Sequence, residues 1–138
     1  MIILIDAGPL FAFFNKRDQW NWWVGKTLGE YKPPLYTCES VISETIFLLQ
    51  RSSLEIGGLM ELITRGHMVV QSAFTSKNDQ ERIQQILTNY QNLPASFADA
   101  CLVRMAEVNN STQILSLDSD FKIYRKYDGE PLNLIAPF

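Results

Sequence analysis

Four acids in this 138-residue chain occupy positions where a carboxylate is costly. Asp6 closes the β-branched run Ile2-Ile3-Leu4-Ile5, and Asp118 follows the run Gln113-Ile114-Leu115-Ser116-Leu117. Glu44 shares a helical face with Val41, Phe47, Leu48 and Arg51, while Asp99 has Leu102, Val103 and Ala106 at i+3, i+4 and i+7. A charge on an apolar face is destabilising unless it is paired or meets a cation. Each acid alone has a plain explanation. Asp6 and Asp118 suit N-caps of following helices. Arg51 and Arg104 are candidate ion-pair partners for the helical acids, although Arg104 lies about 140° around its helix from Asp99. Two acids at strand ends and two on helix faces together describe a carboxylate cluster.

Clustered carboxylates raise one another's pKa and need cations to remain ionised. All-oxygen ligation suits hard ions such as Mg²⁺ or Mn²⁺. A Cys/His set for zinc is lacking: His67 is the sole histidine and reads as structural, and Cys38 and Cys101 form no CxxC. A hard cation held by few carboxylates keeps waters, one of which can attack a phosphodiester. Other chemistries lack their signatures, since no P-loop, GxGxxG or GxSxG is present. Asp6-Ala7-Gly8 also differs from the Asp-x-Asp that a haloacid-dehalogenase phosphatase needs after its first strand.

The elements that must position these acids alternate in type. Apolar or β-branched runs predict strands over 2–5, 35–37, 67–71, 113–117 and 132–135. Helical stripes predict helices over about 20–31, 40–51, from Ser52 or Ser53 to 65, 76–90 and 94–107, with a short basic helix over 121–126. Pro9 suits the first turn of a helix after Asp6, Ser76 an N-cap, and Gly66 a helix end. Strands alternating with helices imply an α/β fold with a parallel sheet covered on both faces. Its ligand site belongs beyond the strand C-termini, where strand order reverses.

Length and composition set the frame. A chain of 138 residues suits one domain, with a core that needs no metal or disulfide staple. The two cysteines fit reduced thiols in a cytoplasm. The greasy N-terminus lacks the basic segment of a signal peptide, and Asp6 and Pro9 interrupt it. No apolar run reaches the length of a membrane span. A net charge of −3 argues weakly against nucleic-acid binding.

The motifs Asp6-Ala7-Gly8-Pro9-Leu10, Ser43-Glu44, SFADACLVRMAE around Asp99 and SLDSDF around Asp118 resemble those of PIN-domain ribonucleases. The chain is most similar to the short VapC-like toxins of bacterial toxin–antitoxin pairs, along essentially its whole length. The resemblance implies a three-layer α/β/α fold around a five-stranded parallel sheet. It further implies a Mg²⁺ or Mn²⁺ site made by Asp6, Glu44, Asp99 and Asp118, hydrolysis of RNA to 5′-phosphate ends, a homodimer, and a cognate antitoxin entering the acidic groove. Ser116 and Asp120 are expected to support the site. Many relatives carry histidines shortly after the aspartate matching Asp18, where this chain reads Gln19-Trp20-Asn21-Trp22.

With the four site acids set aside, 12 basic residues face 11 acidic ones, so the charge objection falls away. Lys122, Arg125 and Lys126 are candidates for contacts to RNA phosphates, or else a solvated helix face. Trp20 and Trp23 lie on a helical stripe and suit core or dimer packing. Trp22 lies off it and suits a partner surface better than base stacking. A second class of function, a PIN-like module that binds RNA or a partner without turnover, has no evident need of four clustered carboxylates.

Overall fold

The computed structural model describes residues 1–138. Five short strands, β1 (Ile2–Ile5), β2 (Leu35–Cys38), β3 (Met68–Gln71), β4 (Thr112–Leu115) and β5 (Leu134–Ile135), form one sheet in the order β3-β2-β1-β4-β5. Every pairing is parallel, including Ile5 opposite Leu115 at the end of the β1–β4 ladder. Parallel neighbours need crossovers, and helices supply them. The helices are α1 (Ala7–Phe14), α2 (Asn21–Leu28), α3 (Glu39–Arg51), α4 (Gly57–Thr64), α5 (Lys77–Asn89) and α6 (Phe97–Val108). Helix α1 packs against α2, α3 and α4, and α5 packs against α6. The expected α/β/α architecture is therefore present. No helix is long and apolar enough to cross a membrane.

The strand order reverses between β1 and β4, so chain growing outward from both leaves a crevice beyond their C-terminal ends. Ile3, Leu4 and Ile5 of β1 and Ile114 and Leu115 of β4 are buried, which pins this central pair. Helix α6 is buried along Ala98, Ala100–Val103, Met105 and Ala106. Its small residues let it lie close to the sheet, where it contacts both β2 and β4.

Several boundaries depart from the sequence expectation for identifiable reasons. Ser52 and Ser53 end α3 instead of capping the next helix: Ser53 takes φ 56° and the Leu54 amide donates to the Leu49 carbonyl at 2.8 Å. That is a Schellman closure, and α4 begins only at Gly57. Gly66 closes α4 in the same way at φ 77°, with His67 exposed ahead of β3. Helix α6 starts at Phe97 because Ser96 makes a capping box with Asp99. Strand β4 ends at Leu115, and the basic helix expected over 121–126 is a single 3-10 turn, Ser119–Lys122.

The face of α3 also differs from expectation. The buried line is Val41, Thr45 and Leu49, while Phe47 is exposed and Leu48 half-buried. Thr45 enters the core because its hydroxyl donates to the Val41 carbonyl at 2.7 Å. Glu44 is consequently exposed at the margin of that face, not inside it.

Helices α5 and α6 are joined by charge. The Arg82 Nε donates to both Glu107 carboxylate oxygens, at 3.0 and 2.9 Å, and its Nη2 lies 2.7 Å from Oε2. Arg104 bonds Asp79 at 2.7 Å and approaches Glu107 at 3.5 Å. The Glu107 side chain is 5% exposed, so its removal leaves the Arg82 guanidinium without its ion-pair partner in a poorly hydrated place, while Arg104 keeps Asp79. Glu107→Ala is expected to cost about 3 kcal/mol or more in urea unfolding, while Arg82→Met/Glu107→Leu recovers most of that loss. A Glu107→Ala loss below ~1 kcal/mol, typical of a surface pair, would contradict this reading.

Candidate active site

Asp6 is the residue that follows β1, and it is 6% exposed. Its Oδ1 accepts from the Ala7 amide at 2.8 Å at the start of α1, and its Oδ2 accepts from the Ser116 hydroxyl at 2.9 Å. Ser116 leaves β4 beside it and also accepts the Asp118 amide at 3.0 Å. One buried hydroxyl thus ties the ends of the two central strands together. Asp118 caps the 3-10 turn, its Oδ1 accepting the Asp120 amide at 2.9 Å. The cap reading and the cluster reading of Asp6 and Asp118 are both realised, by the same two side chains.

Asp99 lies in the first turn of α6. Its Oδ2 accepts from the Tyr124 hydroxyl at 2.9 Å and, at 3.4 Å, from the Ser96 amide. Glu44, on α3, makes neither a hydrogen bond nor an ion pair, and Arg51 is exposed. A cleft of about 410 Å³ gathers all four acids, walled otherwise by Gly8, Leu48, Leu117 and Ser119. No Lys, Arg or His lines it, and none of the ion pairs in the structure engages any of the four. A larger groove, about 550 Å³, runs along α5 between Phe74 and Phe97, but it gathers no set of acids.

The electrostatics follow from this arrangement. Burial, then the charges of Asp99 and Glu44, push Asp6 from its ordinary value near 3.8 up to about 7, against the pull of its two hydrogen bonds. Glu44 is raised by partial burial and by Asp99 and Asp118. Burial raises Asp99 as well, and the Tyr124 and Ser96 hydrogen bonds counter it. Each of these carboxyls titrates in the field of another, with no cation to offset it.

A hard divalent cation fits this donor set, which is all oxygen and holds more negative charge than its hydrogen bonds compensate. No three His, Cys, Asp or Glu side chains converge on a ready-made coordination sphere, so ligation would require the carboxylates to draw closer. Glu44, free of hydrogen bonds, has the most freedom to do so.

The other sequence candidates are placed differently. Ser116 is inside the site. Asp120 is half-buried beside it and supports Asp118 through its backbone amide, not through its carboxylate. Lys122, Arg125 and Lys126 do not line the cleft. The Lys122 ammonium lies 4.6 Å from the Phe138 ring centroid, and Arg125 Nη1 donates to the carbonyls of Lys122, Ile123 and Tyr124. Trp22 is 72% exposed on α2, with the Lys26 ammonium 5.2 Å from its ring centroid. Tyr124 belongs to no motif, since an aromatic residue after an acidic loop carries no signature of what its hydroxyl meets.

Comparison with known proteins agrees with the geometry. The PIN domain family model matches residues 3–127. Among solved structures, the crystal structure of Mycobacterium tuberculosis VapC20, a sarcin-ricin loop cleaving toxin, superposes with a TM-score of 0.74. It shares 20% identity and covers 88% of this chain and 93% of its own. No curated protein matches the chain in sequence. The chain belongs to the PIN-domain family.

The raised carboxyls give a pH dependence with a definite sign. Folded Asp6 keeps its proton up to about pH 7, whereas the unfolded residue loses it near 3.8. Its contribution to stability is thus fully present below the lower value and is lost as pH rises through the upper one. The metal-free protein is expected to melt several degrees lower at pH 8 than at pH 5, and Asp6→Asn should remove much of that difference. Melting curves across that range check both; an Asp6→Asn profile parallel to wild type would contradict the assignment.

Proposed function

We propose that this PIN-domain protein is a metal-dependent endoribonuclease and the toxin of a toxin–antitoxin pair. The observation that carries the proposal is the gathering of Asp6, Glu44, Asp99 and Asp118, from four separate parts of the chain, in one cleft that no basic side chain lines. VapC20, whose fold this chain shares, is a sarcin-ricin loop cleaving toxin, and that description is what brings RNA cleavage by a toxin into the proposal.

Asp6, Glu44, Asp99 and Asp118 would hold Mg²⁺ or Mn²⁺, which when bound supplies positive charge against the phosphodiester and a water of lowered pKa. The chain's own groups do the positioning. Ser116 keeps the Asp6 carboxylate fixed through Oδ2, and the Asp120 amide fixes Asp118 through Oδ1. Glu44, whose carboxylate makes no hydrogen bond within the protein, is free to turn toward a bound cation or the water it would carry.

Partner binding is proposed on the same basis. An acidic cleft without basic walls is complementary to a basic antitoxin segment, and exposed Trp22 offers an aromatic anchor for a partner surface or for a second copy of the chain.

The test is incubation of a mixed RNA pool with Mn²⁺ or Mg²⁺, with chelator and Asp99→Asn as controls. Metal-dependent cleavage is expected, with Asp99→Asn slower by at least ~10²-fold, the effect typical of losing one group that stabilises transition-state charge. A folded wild-type protein that neither binds Mn²⁺ nor cleaves any RNA would instead favour a binding module.

A further inference from the structure

Tyr124 is fully buried, yet it carries a hydroxyl. A buried phenol needs a hydrogen-bond partner, and here it is the Asp99 carboxylate, at 2.9 Å. The ring is held by edge contacts to Phe121, with centroids 5.2 Å apart, and to Tyr90, at 5.1 Å. Its backbone is fixed as well, the Tyr124 amide donating to the Asp120 carbonyl at 3.2 Å. The turn that sets Asp118 at the cleft therefore also sets a rigid donor against Asp99, which arrives on a different element.

The bond is selective between the two carboxylate oxygens. Oδ2 receives the Tyr124 hydroxyl and the long, 3.4 Å contact from the Ser96 amide, while Oδ1 accepts no hydrogen bond from the protein. We infer that Tyr124 is a positioning residue of the acid centre, locking the Asp99 side chain through Oδ2 so that Oδ1 stays available to a cation or water. The inference rests on the metal-dependent nuclease reading for its consequence, but the lock itself is a property of the metal-free protein.

A purely structural role for Tyr124 predicts something different. Tyr90 belongs to the same aromatic cluster, and its hydroxyl accepts the Arg125 amide at 2.9 Å without touching Asp99. Tyr124→Phe and Tyr90→Phe each remove one hydroxyl and keep the ring, so packing alone would give the two variants similar behaviour. Positioning affects Tyr124→Phe alone.

Three readouts decide. In the metal-free protein, side-chain coupling constants report the Asp99 χ1 rotamer: one rotamer is expected in wild type and Tyr90→Phe, and averaging in Tyr124→Phe. Mn²⁺ titration should give a dissociation constant weakened about 10-fold or more in Tyr124→Phe and little changed in Tyr90→Phe, the range found when an outer partner of a metal ligand is lost. With RNA, kcat should fall by a similar factor while KM holds. A single Asp99 rotamer retained in Tyr124→Phe, or equal losses in both variants, overturns the inference. A wild-type protein without Mn²⁺ binding or cleavage overturns the nuclease reading instead, and the rotamer comparison still decides the role of Tyr124.

Discussion

The buried carboxyl of Asp6 is the constraint around which the rest is arranged. It sits where the central strand of a parallel sheet ends, in low dielectric, with Asp99 and Glu44 close enough to raise its pKa further. An isolated charge in that position would be destabilising by several kcal/mol. The fold answers with hydrogen bonds in place of counter-charges: an amide at the start of α1 and the Ser116 hydroxyl from the neighbouring strand. These hold the group in place without supplying a counter-charge, so below about pH 7 it keeps a proton that a cation would displace.

The basic residues are deployed accordingly. Arg82 and Arg104 join α5 to α6 through Glu107 and Asp79, and Arg125 folds back on its own turn's carbonyls. None offers its charge to the cleft. A lysine or arginine there would stabilise the metal-free protein, but it would also compete with the cation for the carboxylates. Proteins commonly carry such local cost at functional sites, where the surrounding structure enforces it.

Much of this was legible in the sequence because it depended on local pattern. The run Ile2–Ile5 with Asp6 after it, the cap at Ser76 and the helix end at Gly66 each follow from residue type and neighbours. The same holds for the alternation of strands and helices that made the sheet parallel. On α3 the sequence offers two stripes, and the buried one runs through Val41, Thr45 and Leu49. Thr45 looks polar, but its self-satisfied hydroxyl lets it take the core position that Phe47 seemed to claim. In place of the basic helix expected over 121–126 stands a 3-10 turn ending at Lys122, with Phe121 and Tyr124 buried in the core. Likewise, the supporting groups of the site come from pairings across the chain. Ser116 is 110 residues from Asp6, and Tyr124 is 25 from Asp99. Ser116 is nonetheless readable from the motif resemblance around Asp118, whereas Tyr124 lies in no motif and its contact with Asp99 is set by topology alone.

On the proposed function, a bound cation would resolve the electrostatic conflict around Asp6. Calorimetric titration of Mn²⁺ in buffers of different ionisation enthalpy measures it directly, through the protons exchanged on binding. The account predicts release of roughly one proton per bound ion near pH 6, where buried Asp6 is still protonated, falling toward zero by about pH 8.5. Mn²⁺ binding with no proton release at either pH would contradict it.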